Sequence, residues 1–275
     1  MTLSLQGVVL RYPNGFTAIA GATLQIAQGE RVAVIGPSGA GKTSLLRLAG
    51  ASVRASEGRL EVLGQQPWAL SASALKALRA RIGVVHQAPP IPPRLRVVTA
   101  VLAGKLGAWS ARRALKSLLV PVDAAGAQAA LARLGLGDRV WDRCDRLSGG
   151  QLQRVGIARV LYQAPDLMLA DEPVSALDPT LADATLRELV AQSEATGATL
   201  LASLHAVDLA LKWFGRVVGM RDGRVVFDLP VADVTPAMLQ DLYATEGGVV
   251  PVHGRNAEAV PGTGSDSRAS ALMCR

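Results

Sequence analysis

Apolar positions recur along this chain with period two in some stretches and with helical spacing in others. The switches between the two outline the fold. "LSLQGVVLRY" is rich in strand formers, "PNG" (Pro13 to Gly15) reads as a turn, and "ATLQIAQGE" reads as a second strand closing on a glycine turn. "RVAVI" is a continuous apolar run, as expected of a strand buried on both faces, so residues 3–35 are expected to be β. A glycine-rich stretch follows, then "TSLLRLAGAS", a helical pattern with Thr43 and Ser44 as its expected cap. "GRLEVLG" predicts a strand, "SASALKALRARIG" a helix and "IGVVHQ" another buried strand.

From about Ala88 to Arg146 the texture changes. "APPIPPRLRVV" carries four prolines and cannot start as a regular helix. Ala-, Leu- and Arg-rich helical patterns follow, with few strand signals, which predicts an inserted helical subdomain. Alternation then returns. "GGQLQRVGIARVLYQ" reads as a helix, "LMLAD" as a strand, "PTLADATLRELVAQSEATG" as a helix and "ATLLASLH" as a strand. "AVDLALKWF" is helical, and "RVVGMRDGRVVFD" predicts a hairpin turning at Asp222-Gly223. Such alternation indicates an α/β domain with a largely parallel sheet. From about Val250 the chain is polar and rich in small residues, the composition of a disordered tail.

The 275 residues are 49% hydrophobic and 19% charged, enough for a large core. No apolar run approaches the roughly 18 residues needed to cross a bilayer. The start "MTLSLQG" has no basic stretch leading into a long apolar one, so no signal peptide is expected. A cytosolic protein that presents an apolar surface to a partner fits this composition. The net charge of +7 suits nucleic acid, an anionic membrane surface or phosphate-bearing ligands, and an ordinary arginine-rich surface gives the same number. No run of five basic residues marks a nucleic-acid arm. Cys144 and Cys274 have neither disulfide-framework nor zinc-site spacing.

The glycine-rich stretch is "GPSGAGKTS", Gly36 to Ser44, with Pro37 and Ser38 between its first two glycines. It fits G-x-x-x-x-G-K-[ST] at Gly36, Gly41, Lys42 and Thr43, with a strand before it and a helix after it. Backbone N–H groups of Gly39, Ala40, Gly41, Lys42 and Thr43 can point at phosphate oxygens, and the helix N-terminus adds a positive partial charge. Lys42 can reach the β- and γ-phosphates, and the Thr43 hydroxyl can ligate Mg²⁺. "DLMLADE" ends an apolar strand in Asp171 and Glu172. Asp171 would hold Mg²⁺ through water, and Glu172 would face the γ-phosphate and polarise an attacking water. "LSGGQ" (Leu147 to Gln151) sets Ser148 at an N-cap position, and its two glycines resemble a second phosphate cradle. One phosphate has no use for two cradles on one face, so a head-to-tail dimer sharing ATP is the economical arrangement.

With these motifs the chain resembles the ATP-binding subunits of ABC transporters over about residues 3–246. "GPSGAGKT" matches the Walker A loop, "LSGGQ" the signature loop and "LMLADE" Walker B. "SALD" (Ser175 to Asp178) matches the D-loop, Gln87 the Q-loop glutamine and His205 the switch histidine, all in the family's order. The resemblance implies a P-loop NTPase (RecA-like) core with an N-terminal antiparallel β subdomain and the inserted helical subdomain, about 88–146, all in one ATP-binding domain of residues 1–246. Residues 247–275 would be a disordered tail. It implies two subunits sandwiching two ATP molecules. Tyr12 would stack on adenine, although a surface tyrosine at a strand end looks the same. Ser148, Gly149, Gly150 and Gln151 would contact the γ-phosphate of the opposite subunit's ATP. Glu172 would be the general base, and His205 would brace the γ-phosphate and water. Gln87 would contact Mg²⁺ or water, and Asp178 would signal across the dimer.

One Walker A, one signature loop and no span resemble a bacterial importer's half-site subunit, peripheral on the cytoplasmic face of the inner membrane. Its partners would be a second ATP-binding subunit, membrane permease subunits and, indirectly, a solute-binding protein, with no nucleic acid. The permease would dock on about Gln87 to Trp109. There Pro89, Pro90, Pro92 and Pro93 depart from the usual texture after the glutamine and leave the coupling geometry open. "RYPNG", "VLAGKLG" and "SLHAVDLALKWFGRVVGMRDGRVVFDLP" are similar to the phosphonate-importer branch. Uptake of a small phosphorus-containing anion is therefore expected. An ABC subunit serving amino acids, phosphate or lipoprotein export is the alternative, and a ribosome- or DNA-acting ABC ATPase is a more distant one.

Overall fold

A computed structural model describes residues 1–244 and 247–253. Strands β1 (Leu3–Arg11), β2 (Thr17–Ile26) and β4 (Glu57–Val62) form an antiparallel sheet in the order β2-β1-β4. The second sheet has six strands: β3 (Arg31–Ile35), β5 (Ile82–Val85), β6 (Leu167–Asp171), β7 (Thr199–Ser203), β8 (Arg216–Arg221) and β9 (Arg224–Pro230), in the order β5-β6-β7-β3-β8-β9. All neighbours in it are parallel except β8 and β9. The hairpin between these two turns at Asp222 and Gly223, whose φ angles of 51° and 73° suit the tight turn of a twisted hairpin.

Each parallel strand is buried on both faces, so its alternate residues feed two cores. Val32, Val34, Leu167, Leu169 and Leu201 face the antiparallel sheet and helix α1 (Lys42–Ala49). Ala33, Ile35, Met168, Ala170, Leu200 and Ala202 face the other way. There they pack with α3 (Val97–Leu102), α5 (Ala124–Ala132), α6 (Gly149–Gln163) and α7 (Pro179–Thr196). Full burial of each such aliphatic side chain contributes about 1.5–3 kcal/mol.

The remaining helices are α2 (Ala72–Ala80), α4 (Ala111–Leu119), α8 (Val207–Trp213) and α9 (Pro236–Leu242). Between β5 and β6 the described chain holds helices and short 3₁₀ turns and no named strand, and the proline run after Gln87 is irregular. Helix α1 starts one residue before the expected Thr-Ser cap. Gly41 caps it in the left-handed region at φ 98°, with no side chain involved. A Cβ there would meet the Ala18 carbonyl oxygen at 2.5 Å, which restricts the position to glycine. Of the expected tail, residues 247–253 lie against the domain. The Val207 amide donates to the Pro251 carbonyl at 2.9 Å, the His253 amide donates to Asp208 Oδ1 at 2.9 Å, and Val250 packs on the core. Residues 254–275 lie outside the described residues.

Candidate nucleotide site

Parallel register brings the C-terminal ends of four strands to one edge. Val34 is level with Ser203, Asp171 with Ser203, and Val85 with Ala170. The residues just beyond these ends, Gly36, Gln87, Glu172 and His205, therefore share that edge although they are spread over some 170 positions of sequence. Ligands bind at this kind of edge in open parallel sheets, where strand order switches direction. Here β3 has β7 on one side and β8 on the other.

Residues 36–41 form the turn between β3 and α1. Gly36 has φ 147°, and a Cβ on it would lie 2.0 Å from the Met220 carbonyl oxygen, so only glycine fits. Its amide donates to the buried Tyr243 hydroxyl at 3.1 Å. Lys42 is 7% exposed and its Nζ donates to the carbonyls of Gly36 (2.6 Å) and Pro37 (3.0 Å), inside the loop. Those two acceptors hold the ammonium inside the loop. Ser38 and Gly39 are exposed, and Ala40 is buried. The Tyr12 hydroxyl lies 3.3 Å from Ser44 Oγ, which sets its half-buried ring beside the first turn of α1.

Asp171 Oδ1 accepts from Thr43 Oγ1 at 3.0 Å and from Ser203 Oγ at 2.7 Å. Glu172 has φ 45°, an uncommon left-handed conformation for a residue of its size. Both ends of its peptide are held. Its amide donates to Ser203 O (3.1 Å) and Ser203 Oγ (3.0 Å), and its carbonyl accepts from Gln153 Nε2 (3.0 Å) and Ser175 Oγ (3.1 Å). The strained turn aims the carboxylate across the edge, where Gln87 Nε2 donates to Glu172 Oε2 at 2.8 Å. His86, beside Gln87, has its pKa lowered by burial and then by the nearby Arg159, which favours the neutral ring. His205 is exposed two residues past Ser203, and its side chain makes no hydrogen bond among the described residues.

The second glycine loop caps α6. Ser148 Oγ accepts from the Gln151 amide (3.3 Å) and Gln151 Oε1 accepts from the Ser148 amide (2.9 Å), a capping box. A Cβ on Gly149 would meet nothing within 4 Å, whereas one on Gly150 would press on Leu177 and the Ala176 carbonyl. Asp178 caps α7 by accepting from the Leu181 amide at 3.1 Å. No side-chain hydrogen bond joins Ser148 or Asp178 to residues 36–44 among the described residues. Gln153, two residues after the "LSGGQ" loop, and Ser175, at the start of the "SALD" stretch, both donate to the Glu172 carbonyl. The structure thus links the predicted Gly36–Ser44 loop, Gln87, Asp171 and Glu172 within one protomer and leaves the "LSGGQ" loop facing outward. Tyr243, Ser203 and Gln153 were not legible as site residues. Only the apolar strand ending in Ser203 carried any signal.

The donors fit a nucleotide with Mg²⁺. Thr43 Oγ1 and Asp171 Oδ1 are hard oxygens in direct hydrogen-bond contact. Among the described residues no cluster of three or more His, Cys, Asp or Glu side chains could hold a metal alone. Mg²⁺ takes one or two protein oxygens and completes its shell with phosphate and water, and the Thr43–Asp171 pair offers two such oxygens.

Residues 19–175 match the pattern of the ABC transporter family. The chain is 60% identical over 257 residues to a phosphonates import ATP-binding protein of Cupriavidus necator, covering 94% of this chain and 92% of that one. It is 63% identical over 246 residues to one from Pseudomonas aeruginosa, covering 90% and 92%. A bacterial ABC transporter cassette solved as a dimer superposes with TM-score 0.72 at 28% identity, over 84% of this chain and 99% of that one. The same kind of cassette in a post-hydrolysis dimer with ADP and phosphate gives 0.71 at 28% identity, over 84% and 99%.

Proposed function

The chain belongs to the ABC transporter family of ATP-binding subunits, and on that premise we propose that it hydrolyses ATP to drive bacterial uptake of phosphonates. The observation that carries the ATPase reading is the hydrogen-bonded path from Thr43 to Asp171, with Glu172 turned toward Gln87 beside it. Gly36 to Ser44 and Lys42 hold the phosphates, and Tyr12 stacks on adenine. Thr43, Gln87 and Asp171 hold Mg²⁺, which when bound draws charge from the phosphate oxygens. Glu172 takes the proton of the attacking water, and His205 steadies the γ-phosphate.

The exposed "LSGGQ" loop already uses the Ser148 and Gln151 side chains to cap its own helix. Its free amides and the open face of Gly149 therefore serve a second copy's ATP, and Asp178 lies near that seam. The partners are a second copy, permease subunits docked near Gln87 to Trp109 and, through them, a solute-binding protein. The working place is the cytoplasmic face of the inner membrane. Among the described residues no helix is long and apolar enough to cross it. The phosphonate assignment rests on 60–63% identity to phosphonates import ATP-binding proteins over nine-tenths of the chain.

Deletion of the gene should abolish growth on methylphosphonate as sole phosphorus source and leave growth on inorganic phosphate intact. The native chain should restore growth and Glu172→Gln should not. Unimpaired growth of the deletion strain on phosphonates would overturn the substrate reading. Full ATPase activity of the purified Glu172→Gln chain would overturn the assignment of the base.

A further inference from the structure

Between Glu61 and Asp123 the chain has no Asp or Glu, yet residues 62–122 hold nine Lys or Arg. The other residues carry 20 Lys or Arg against 22 Asp or Glu, so the net +7 resides entirely in this one segment. Of the nine, only Arg81 forms an ion pair among the described residues, with Asp166. The fold gathers several of the rest. Lys76 and Arg79 of α2 line a groove of about 320 Å³ with Arg159 of α6 and with Ala103, Gly104 and Gly107. Lys105, between Gly104 and Gly107 but outside the groove lining, sits over the Tyr162 ring. Helix α4 follows a few residues later.

Helix α4 is packed contrary to its hydrophobic pattern. Ser117 faces inward, 2% exposed, while Leu115, Leu118 and Leu119 face solvent at 64%, 56% and 80%. At about 100° per residue the three leucines form one stripe, and Arg112, Lys116 and Arg113 form the stripe beside it. Arg113 is held over the Trp109 ring at 4.7 Å, which fixes the basic stripe's orientation. Ser110 caps the helix by accepting from the Arg113 amide. An exposed leucine stripe next to an unpaired basic stripe, on a short helix with no acidic residue, is the pattern of a helix lying at a lipid interface.

We propose that helix α4 binds an anionic phospholipid surface, with its leucines at the acyl boundary and its basic side chains among acidic headgroups. Charge complementarity selects this occupant, because α4 exposes Arg112, Arg113 and Lys116 and carries no carboxylate of its own, which fits a surface of like-charged phosphates. The proposal sits alongside the transport reading and goes beyond it, as none of these residues belongs to the nucleotide loops.

The test is flotation of the full-length chain with vesicles of phosphatidylcholine alone and of phosphatidylcholine with phosphatidylglycerol, with no permease present. Binding is expected to the anionic vesicles and not to the neutral ones, and to fall as salt is raised. Each basic side chain near an anionic surface is worth about fivefold in partition, so Arg112→Gln, Arg113→Gln and Lys116→Gln together should weaken binding about a hundredfold. Leu115→Ser with Leu118→Ser and Leu119→Ser should also release the protein, and these exposed side chains are not needed for folding. Equal binding to both vesicle types, no binding to either, or variants that float like the native chain would overturn the proposal. ATP hydrolysis in the same variants should stay at the native level. A failure of vesicle binding with ATPase intact would sink this inference alone, and an inactive native chain would sink the ATPase reading alone.

Discussion

Glu172 is where local strain and chemistry meet. Its left-handed backbone survives because Ser203, Gln153 and Ser175 hold the peptide on both sides, and the result is a carboxylate aimed away from its own strand. Replacing it with glutamine keeps shape and hydrogen bonding while removing the proton acceptor. Nucleotide affinity should therefore persist while turnover falls by about 10²–10⁴-fold, measured by phosphate release and fluorescent-ATP titration. Lys42→Ala should instead abolish measurable ATP affinity, since the buried ammonium is the cation held inside the loop. Retained affinity in that variant would remove the lysine from the site. The Cys144 thiol is pushed from near 9 up to about 11 by burial and then by Asp145. The folded state thus favours the protonated form, and this contribution is complete below about pH 9. It is lost as pH rises toward about 11, because the unfolded chain ionises first. In a Cys274→Ser background the native protein should react with a thiol reagent at pH 8 far more slowly than the denatured one. Lys42, Thr43, Asp171 and Glu172 were legible because each sits in a short contiguous motif. Ser203 and Tyr243 were not, since they reach the site from 32 and 207 residues away from their partners.

Elements were legible where periodicity and burial agree. The apolar runs of β3, β6 and β7 are buried on both faces, as their composition predicts. Agreement fails at α1, where a left-handed glycine and not a hydroxyl residue starts the helix, because the phosphate loop needs its amides free. It fails again at α4, whose leucines point outward. Pattern alone would have put them in a core, and only tertiary packing decides which face is inside. Helix α6 shows the opposite economy, for its capping box serves the helix while presenting the glycine amides of the outward loop. Ser148→Ala should cost about 1 kcal/mol through the lost cap. Ser148→Arg adds a bulky cation at an interface between copies, so it should block hydrolysis while leaving ATP affinity of the dilute monomer unchanged. A loss of monomer affinity on titration would place the loop in its own subunit's site.

At the scale of the molecule, Tyr243 and residues 249–253 tie back to the phosphate loop and to α8. Tyr243 is fully buried and its hydroxyl receives the Gly36 amide, tying the residue after α9 to the start of the phosphate loop. Tyr243→Phe removes this acceptor and leaves a buried donor to be satisfied otherwise, a loss of about 1–3 kcal/mol. For a domain of this size that lowers Tm by about 2–4 °C for each kcal/mol, and the loosened loop should bind ATP more weakly. Beyond Tyr243, residues 249–253 brace α8. Pro251 and Asp208 complete the hydrogen bonds at its start, and Val250 covers the core beside it. Helix α8 packs on β3, the strand that carries the phosphate loop, so support from residues 249–253 reaches the site through that helix. Two truncations separate this support from the rest of the tail. A chain ending at His253 keeps every one of these contacts and should retain native Tm and ATPase activity. A chain ending at Gly248 loses them together and should melt several degrees lower with reduced ATP affinity. If both truncations melted like the full chain, the bracing of α8 would count for nothing and the domain would end functionally at α9.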